Sequence, residues 1–176
     1  YGRDMGCEQR ISAACSTVAP GNYCTIGAGF YIAAGGNVTI GCATPALART
    51  DIMNWELMAR HSGCDGSASE YNACQAAAHR YCIEHGHATG YTFRTGALTY
   101  SLICFSSSQA EMRSVSWADL DAHDGAAEAY CAGPSRDGWW CARAADSVCR
   151  SLGYATGFGP VEYAAGGTSV ACVRSY

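Results

Sequence analysis

The chain has 176 residues, a net charge of −4, twelve cysteines and eleven basic residues, all of them arginine. Charges of both signs are scattered with no basic cluster, which excludes the electrostatic footprint of a nucleic-acid binder. The longest apolar runs are broken by Gly, Asn and Cys, so no membrane span is expected, and the even cysteine count suits a secreted product already trimmed to its mature form.

Residues 1–43 read as a first unit, with a short helix from Cys7 to Cys15 and a turn at Pro20-Gly21-Asn22. A β-hairpin follows from Thr25 to Cys42, with Phe30, Tyr31, Val38 and Ile40 flanking a tip at Gly35-Gly36-Asn37. Asn37-Val38-Thr39 at that tip is a formal N-glycosylation acceptor.

Residues 44–105 read as a second unit. A linker over 43–50 leads to Asp51, placed to cap a helix that runs to about His61 with Ile52, Trp55, Leu57 and Met58 as its apolar stripe. A second helix spans Cys74 to Cys82 and ends at Gly86, where glycine supplies the left-handed terminator; a hairpin then carries the chain to Cys104. The serine-rich stretch 106–113 reads as a linker. Residues 114–176 repeat the scheme, with a leading helix from Ser116 to about His123, a helix from Cys141 to Cys149, a terminator at Gly153 and a hairpin closed by Cys172. Trp55 and Trp117 are both expected as core tryptophans that anchor the leading helices.

The last two units are related residue by residue. Cys141-Ala-Arg-Ala-Ala-Asp-Ser-Val-Cys149 and Gly153-Tyr154-Ala155-Thr156-Gly157-Phe158 match Cys74-Gln-Ala-Ala-Ala-His-Arg-Tyr-Cys82 and Gly86-His87-Ala88-Thr89-Gly90-Tyr91, 67 residues earlier. The first unit keeps the seven-residue gap between Cys7 and Cys15. The fold class that follows is α+β: a disulfide-rich tandem repeat, each unit a short helix with two cysteines packed on a β-hairpin.

Helix geometry narrows the pairing. Cys74 and Cys82 lie about 12 Å apart along a helix axis, beyond the ~7 Å Cα separation a disulfide spans. The hairpin returns Cys104 to Cys82 and leaves Cys64 for Cys74; the same logic pairs Cys149 with Cys172 and Cys131 with Cys141. In the first unit, Cys24 would turn back to Cys7, leaving Cys15 for Cys42.

The gapped cysteine pair, the run Gly153 to Pro160, Val161-Glu162 and the closing Val170-Ala171-Cys172 resemble cysteine-rich repeats in secreted proteins of GC-rich bacteria such as myxobacteria. The resemblance covers residues 52–104 and 115–173, and the second unit departs from it with Tyr91-Thr92-Phe93 in place of Phe158-Gly159-Pro160. It implies secretion and a disulfide-stapled fold, and it carries no functional residues.

Candidate chemistry is sparse. Asp119, Asp121 and Asp124 before Gly125 approach a calcium loop, but the spacing is wrong by one and a solvated helix end is the plainer reading. His79, Glu84, His85 and His87 could offer imidazoles to a transition metal, or simply surround a helix end. There is no Gly-x-Ser-x-Gly elbow, no His-Glu-x-x-His helix and no Cys-x-x-Cys pair, so the chain is not read as an enzyme and no cofactor is expected. Trp139, Trp140 and Tyr154 could stack on sugar rings, although Trp139-Trp140 beside Cys141 would equally fill a small core. The expected function is structural: a secreted subunit of a surface layer, matrix or filament, self-associating head-to-tail through a flank left open at Ile11 and Ala14, with a glycan-binding module that takes a polysaccharide as the alternative.

Overall fold

A computed structural model describes residues 27–32, 38–42, 48–65, 71–94, 98–123, 131 and 139–174. Strands β1 (Gly27–Ile32) and β2 (Val38–Cys42) pair antiparallel, on either side of the expected hairpin tip. The Cys7–Cys15 helix, Ile11, Ala14 and the pairs Cys7–Cys24 and Cys15–Cys42 lie outside what is described.

Two longer segments follow, each with the element order strand, helix, helix, strand, strand. The first holds β3 (Ala48–Met53), α1 (Asn54–Met58), α2 (Tyr71–Glu84), β4 (Thr89–Arg94) and β5 (Thr99–Phe105), with sheet order β3-β5-β4. The second holds β6 (Ala110–Ser116), α3 (Trp117–Ala122), α4 (Trp139–Ser151), β7 (Thr156–Ala164) and β8 (Gly167–Val173), with sheet order β6-β8-β7. All pairings are antiparallel. The protein is thus α+β, with small antiparallel sheets and four disulfides among the described residues.

Those four bonds are Cys64–Cys74, Cys82–Cys104, Cys131–Cys141 and Cys149–Cys172, the pairs that helix geometry requires. In each segment one bond ties the loop after the leading helix to the main helix, and the other ties that helix to the closing strand. The close approach depends on glycine. A Cβ at Gly90 would meet Cys82 Sγ and the Ala78 carbonyl, and one at Gly157 would meet Cys149 Sγ and the Ala145 carbonyl. Gly86 and Gly153, at φ 81° and 88°, end α2 and α4 in the left-handed conformation. Ala77, Ala78, Ala144 and Ala145 are fully buried, so the small side chains let each helix sit close to its sheet.

Strand alternation gives each three-stranded sheet two buried faces. On β5, Tyr100, Leu102 and Cys104 face α1 and α2 in a core with Ile52, Leu57 and the cysteines of the segment, while Ile103 and Phe105 face the other way. There they meet Tyr91, Ala110, Phe158, Val161, Ala171 and Val173, which joins the two segments through one shared core. Phe158 is its centre, edge-on to Tyr91 at 5.2 Å and 5.6 Å from Phe105. An irregular register between Phe158 and Glu162 lets Phe158 and Val161, three residues apart, both turn inward. Strand β1 lies against α4 and β7.

Three expectations need correction. The stretch 43–50 is expected as a linker with Asp51 as a helix cap, yet β3 occupies Ala48–Met53 and pairs with β5 from Thr99 to Cys104. Asp51 Oδ1 accepts a hydrogen bond from Ser101 Oγ at 2.9 Å, and the helix starts at Asn54 and ends at Met58 rather than near His61. The stretch 106–113 is not an extended connector: it makes a tight turn and then enters β6 at Ala110. Gln109 is buried, and its Oε1 accepts from the Ser106 backbone N–H at 2.8 Å, closing the turn. Trp55, expected in the core, is 63 % exposed, whereas Trp117 is 7 % exposed.

Candidate functional site

The two leading helices explain the tryptophan result. Leu57 and Leu120 are both fully buried, and the Asn54 and Trp117 backbone N–H groups both bond to a hairpin-tip carbonyl, of Leu98 and Gly166 respectively. This matches Asn54, not Trp55, with Trp117. Trp117 lies against its own hairpin, stacked on Tyr163 with centroids 5.7 Å apart and donating Nε1–H to the Ala164 carbonyl at 3.2 Å. Trp55, one position further round the helix, points outward. Met58 follows it at i+3, Met53 precedes the helix, and Leu98 is tied to Asn54, so four large apolar side chains are exposed around α1. Aligning the buried leucines instead of the tryptophans would have revealed this face.

Tyr154 is tied into a network of charged side chains. Its hydroxyl donates to Glu111 Oε2 at 2.6 Å and accepts from Arg113 Nη2 at 2.9 Å, while Arg174 Nη2 donates to Glu111 Oε2 at 2.8 Å. The guanidinium groups of Arg113 and Arg174 both lie over its ring, at 5.8 and 5.4 Å from the centroid. The Tyr154 hydroxyl, followed by the two arginine charges, holds the Glu111 carboxyl below the usual range. The side chains of Trp139 and Trp140, which begin α4, lie outside what is described.

The carboxylates read as a possible calcium loop have structural partners. Asp119 closes the start of α3: its backbone N–H donates to Ser116 Oγ at 3.0 Å and its Oδ2 accepts from that hydroxyl at 2.6 Å. Asp121 Oδ1 accepts from the Cys131 N–H at 2.9 Å, which fixes the disulfide loop to the helix; Asp124 is outside the described residues. Among the described residues no group of three or more His, Cys, Asp and Glu is placed to hold a metal ion. The histidines near the end of α2 diverge: His85 stacks on Tyr81 at 4.2 Å and is exposed, while His79 is buried with Nδ1 3.0 Å from Thr89 Oγ1.

A polar junction that the sequence does not reveal joins the two segments. Arg80 of α2 reaches β7 and forms a two-pronged ion pair with Glu162, Nε to Oε1 at 2.7 Å and Nη2 to Oε2 at 2.9 Å. Its Nη1 donates to the Arg60 carbonyl just past α1. His79 stands next to it in the helix. Burial pushes the His79 imidazole below its ordinary pKa of 6.5; Glu162 pulls the other way and Arg80 adds to the depression. At the matching place in the other segment, Asp146 accepts from Thr156 Oγ1 at 2.6 Å, from the Gly157 N–H at 3.2 Å and from Arg150 at 2.8 Å. Arg80 and Glu162 are 82 positions apart, and no spacing signal links them.

No protein-family model, curated protein or solved structure matches the chain. Among the described residues no helix is long and apolar enough to cross a membrane.

Proposed function

We propose that the protein is a non-enzymatic extracellular structural protein, a stapled tandem repeat whose copies associate into a surface layer, matrix or filament. The repeat reading is supported by the common element order and sheet order of the two longer segments and by the equivalent places of their disulfides. Four disulfides suit an oxidising, extracellular setting, in keeping with the resemblance to secreted bacterial repeats.

The observation that carries the assembly role is the exposure of Met53, Trp55, Met58 and Leu98 on and beside α1. Large apolar side chains grouped on the surface of a well-packed fold mark an interaction site. Exposed methionines and a leucine on and beside the helix that carries Trp55 favour an apolar protein surface over a sugar, which needs hydroxyl partners as well as a ring face. The proposed contact joins these side chains to a different surface of the next copy, and such a head-to-tail contact generates an open polymer when the rotation does not close.

Light scattering on the disulfide-intact protein, with negative-stain microscopy of material from its source, tests this. Concentration-dependent oligomers that are lost in Trp55→Arg and Met58→Arg are expected. A strict monomer at high concentration overturns the assembly role. Polysaccharide binding on a glycan array that disappears in Trp55→Ala would put the glycan-binding module in its place, and turnover of any substrate would remove both.

A further inference from the structure

Of the five histidines, His79 alone is buried, and it sits where α2 meets both its own strand β4 and the other segment's strand β7. We propose that this junction is an acid-sensitive joint: protonation of His79 loosens α2 from β4 and β7, while the matching joint at Asp146 stays closed over the same range.

The surroundings set the direction. β4 presents Thr89, whose hydroxyl is the imidazole's partner, and β7 presents Glu162. β5 and α1 face α2 with Tyr100, Leu102, Cys104 and Leu57, and His79's own helix adds Arg80. A proton on His79 therefore places a second cation in a buried position beside Arg80, and that cation competes with Arg80 for Glu162. Thr89 can accept from the imidazolium but offers it no charge. Desolvation is the largest influence and favours the neutral ring. At Asp146 the side chain is a carboxylate surrounded by donors, and protonation there creates no buried cation.

The sign follows from linkage. With the folded pKa below the unfolded one, the stability due to neutral His79 is complete above about pH 6.5 and is lost as pH falls from there towards the folded pKa. Over that window the opening constant of the joint rises by up to about tenfold per pH unit.

Amide exchange on the full, disulfide-intact chain, corrected for the intrinsic pH dependence of exchange, reads this segment by segment. Between pH 7.5 and pH 5, opening should increase at 75–82 and 89–92 but not at 142–149 and 156–158, and His79→Asn, which keeps a donor for Thr89, should abolish the increase. An equal increase in both segments, or an increase that survives His79→Asn, overturns the proposal. If that variant fails to fold, NMR titration of the His79 ring in the unaltered protein decides: a midpoint below 6.5 is expected, and one at or above it overturns the proposal.

Discussion

The two longer segments place the same backbone elements in the same order and then use their leading helices in opposite ways. In the segment over 110–173 the helix begins with Trp117, which stacks on Tyr163 and bonds the Ala164 carbonyl, so the hairpin tip is closed by its own chain. In the segment over 48–105 the equivalent residue is Asn54, and the tryptophan stands one position on, in solvent. One residue of helical rotation, about 100°, separates a side chain that completes a core from one left exposed. The two segments thus share an element order and a sheet order and differ in what their leading helices expose.

The largest expected effect breaks that contrast directly. Trp117→Ala should cost about 3 to 4 kcal/mol in denaturant unfolding, because it removes a buried indole and leaves a cavity, whereas Trp55→Ala should cost no more than about 0.5 kcal/mol, the range of ordinary surface changes. Equal costs would mean that the two helices do not differ as described. Next come the hairpin staples. Cys82–Cys104 and Cys149–Cys172 close 22 and 23 residues, so chain entropy predicts nearly the same loss, about 3 kcal/mol, when either pair is changed to alanine. A difference of more than about 1 kcal/mol between the two double variants would show that the surrounding packing, and not the closed loop, sets their value.

Much of this scaffold is legible in the sequence. The spacing of Cys74 and Cys82 forbids their pairing with each other, Gly86 and Gly153 terminate the helices, and a hairpin is expected between Gly86 and Cys104. Strands β3 and β6 are not legible, for a physical reason. Each is an edge strand without a clear apolar period: Ile52 is the buried member of Asp51-Ile52-Met53, and Arg113 and Ser114 of β6 are exposed. Their identity comes from backbone pairing with β5 and β8, which leaves little trace in hydrophobic period. The serine-rich turn misleads similarly, since the single buried Gln109 that closes it looks like any polar residue of a linker. Among the site residues, the partners of Tyr154 and the Arg80–Glu162 pair depend on distant positions, and only the fold brings them together.

A smaller effect tests the starts of the two leading helices. Ser116 caps α3 through its hydroxyl, while the corresponding Met53 has no side-chain cap and relies on Glu56 Oε1 accepting its N–H at 3.3 Å. Ser116→Ala should destabilise by about 1 kcal/mol and Met53→Ser should stabilise by a similar or smaller amount. If Met53→Ser destabilises instead, the methionine contributes packing that outweighs a cap.

The smallest expected effect concerns the asymmetric link between the segments. Arg80 has Ser147 as its counterpart in the sequence match, so the ion pair with Glu162 joins the two segments through a residue that only one of them carries. Its geometry is two-pronged, but the side chains are 42 % and 33 % exposed, and solvent and salt screen a pair at that depth. A double-mutant cycle on Arg80→Ala and Glu162→Ala cancels the separate loss of the bond to the Arg60 carbonyl and isolates the pair. The coupling should be about 0.5 to 1 kcal/mol at low salt and should shrink at high salt. A coupling several times larger and insensitive to salt would mean that the pair, rather than the apolar cluster around Phe158, holds the two segments together; a coupling near zero would leave that cluster as their principal bond.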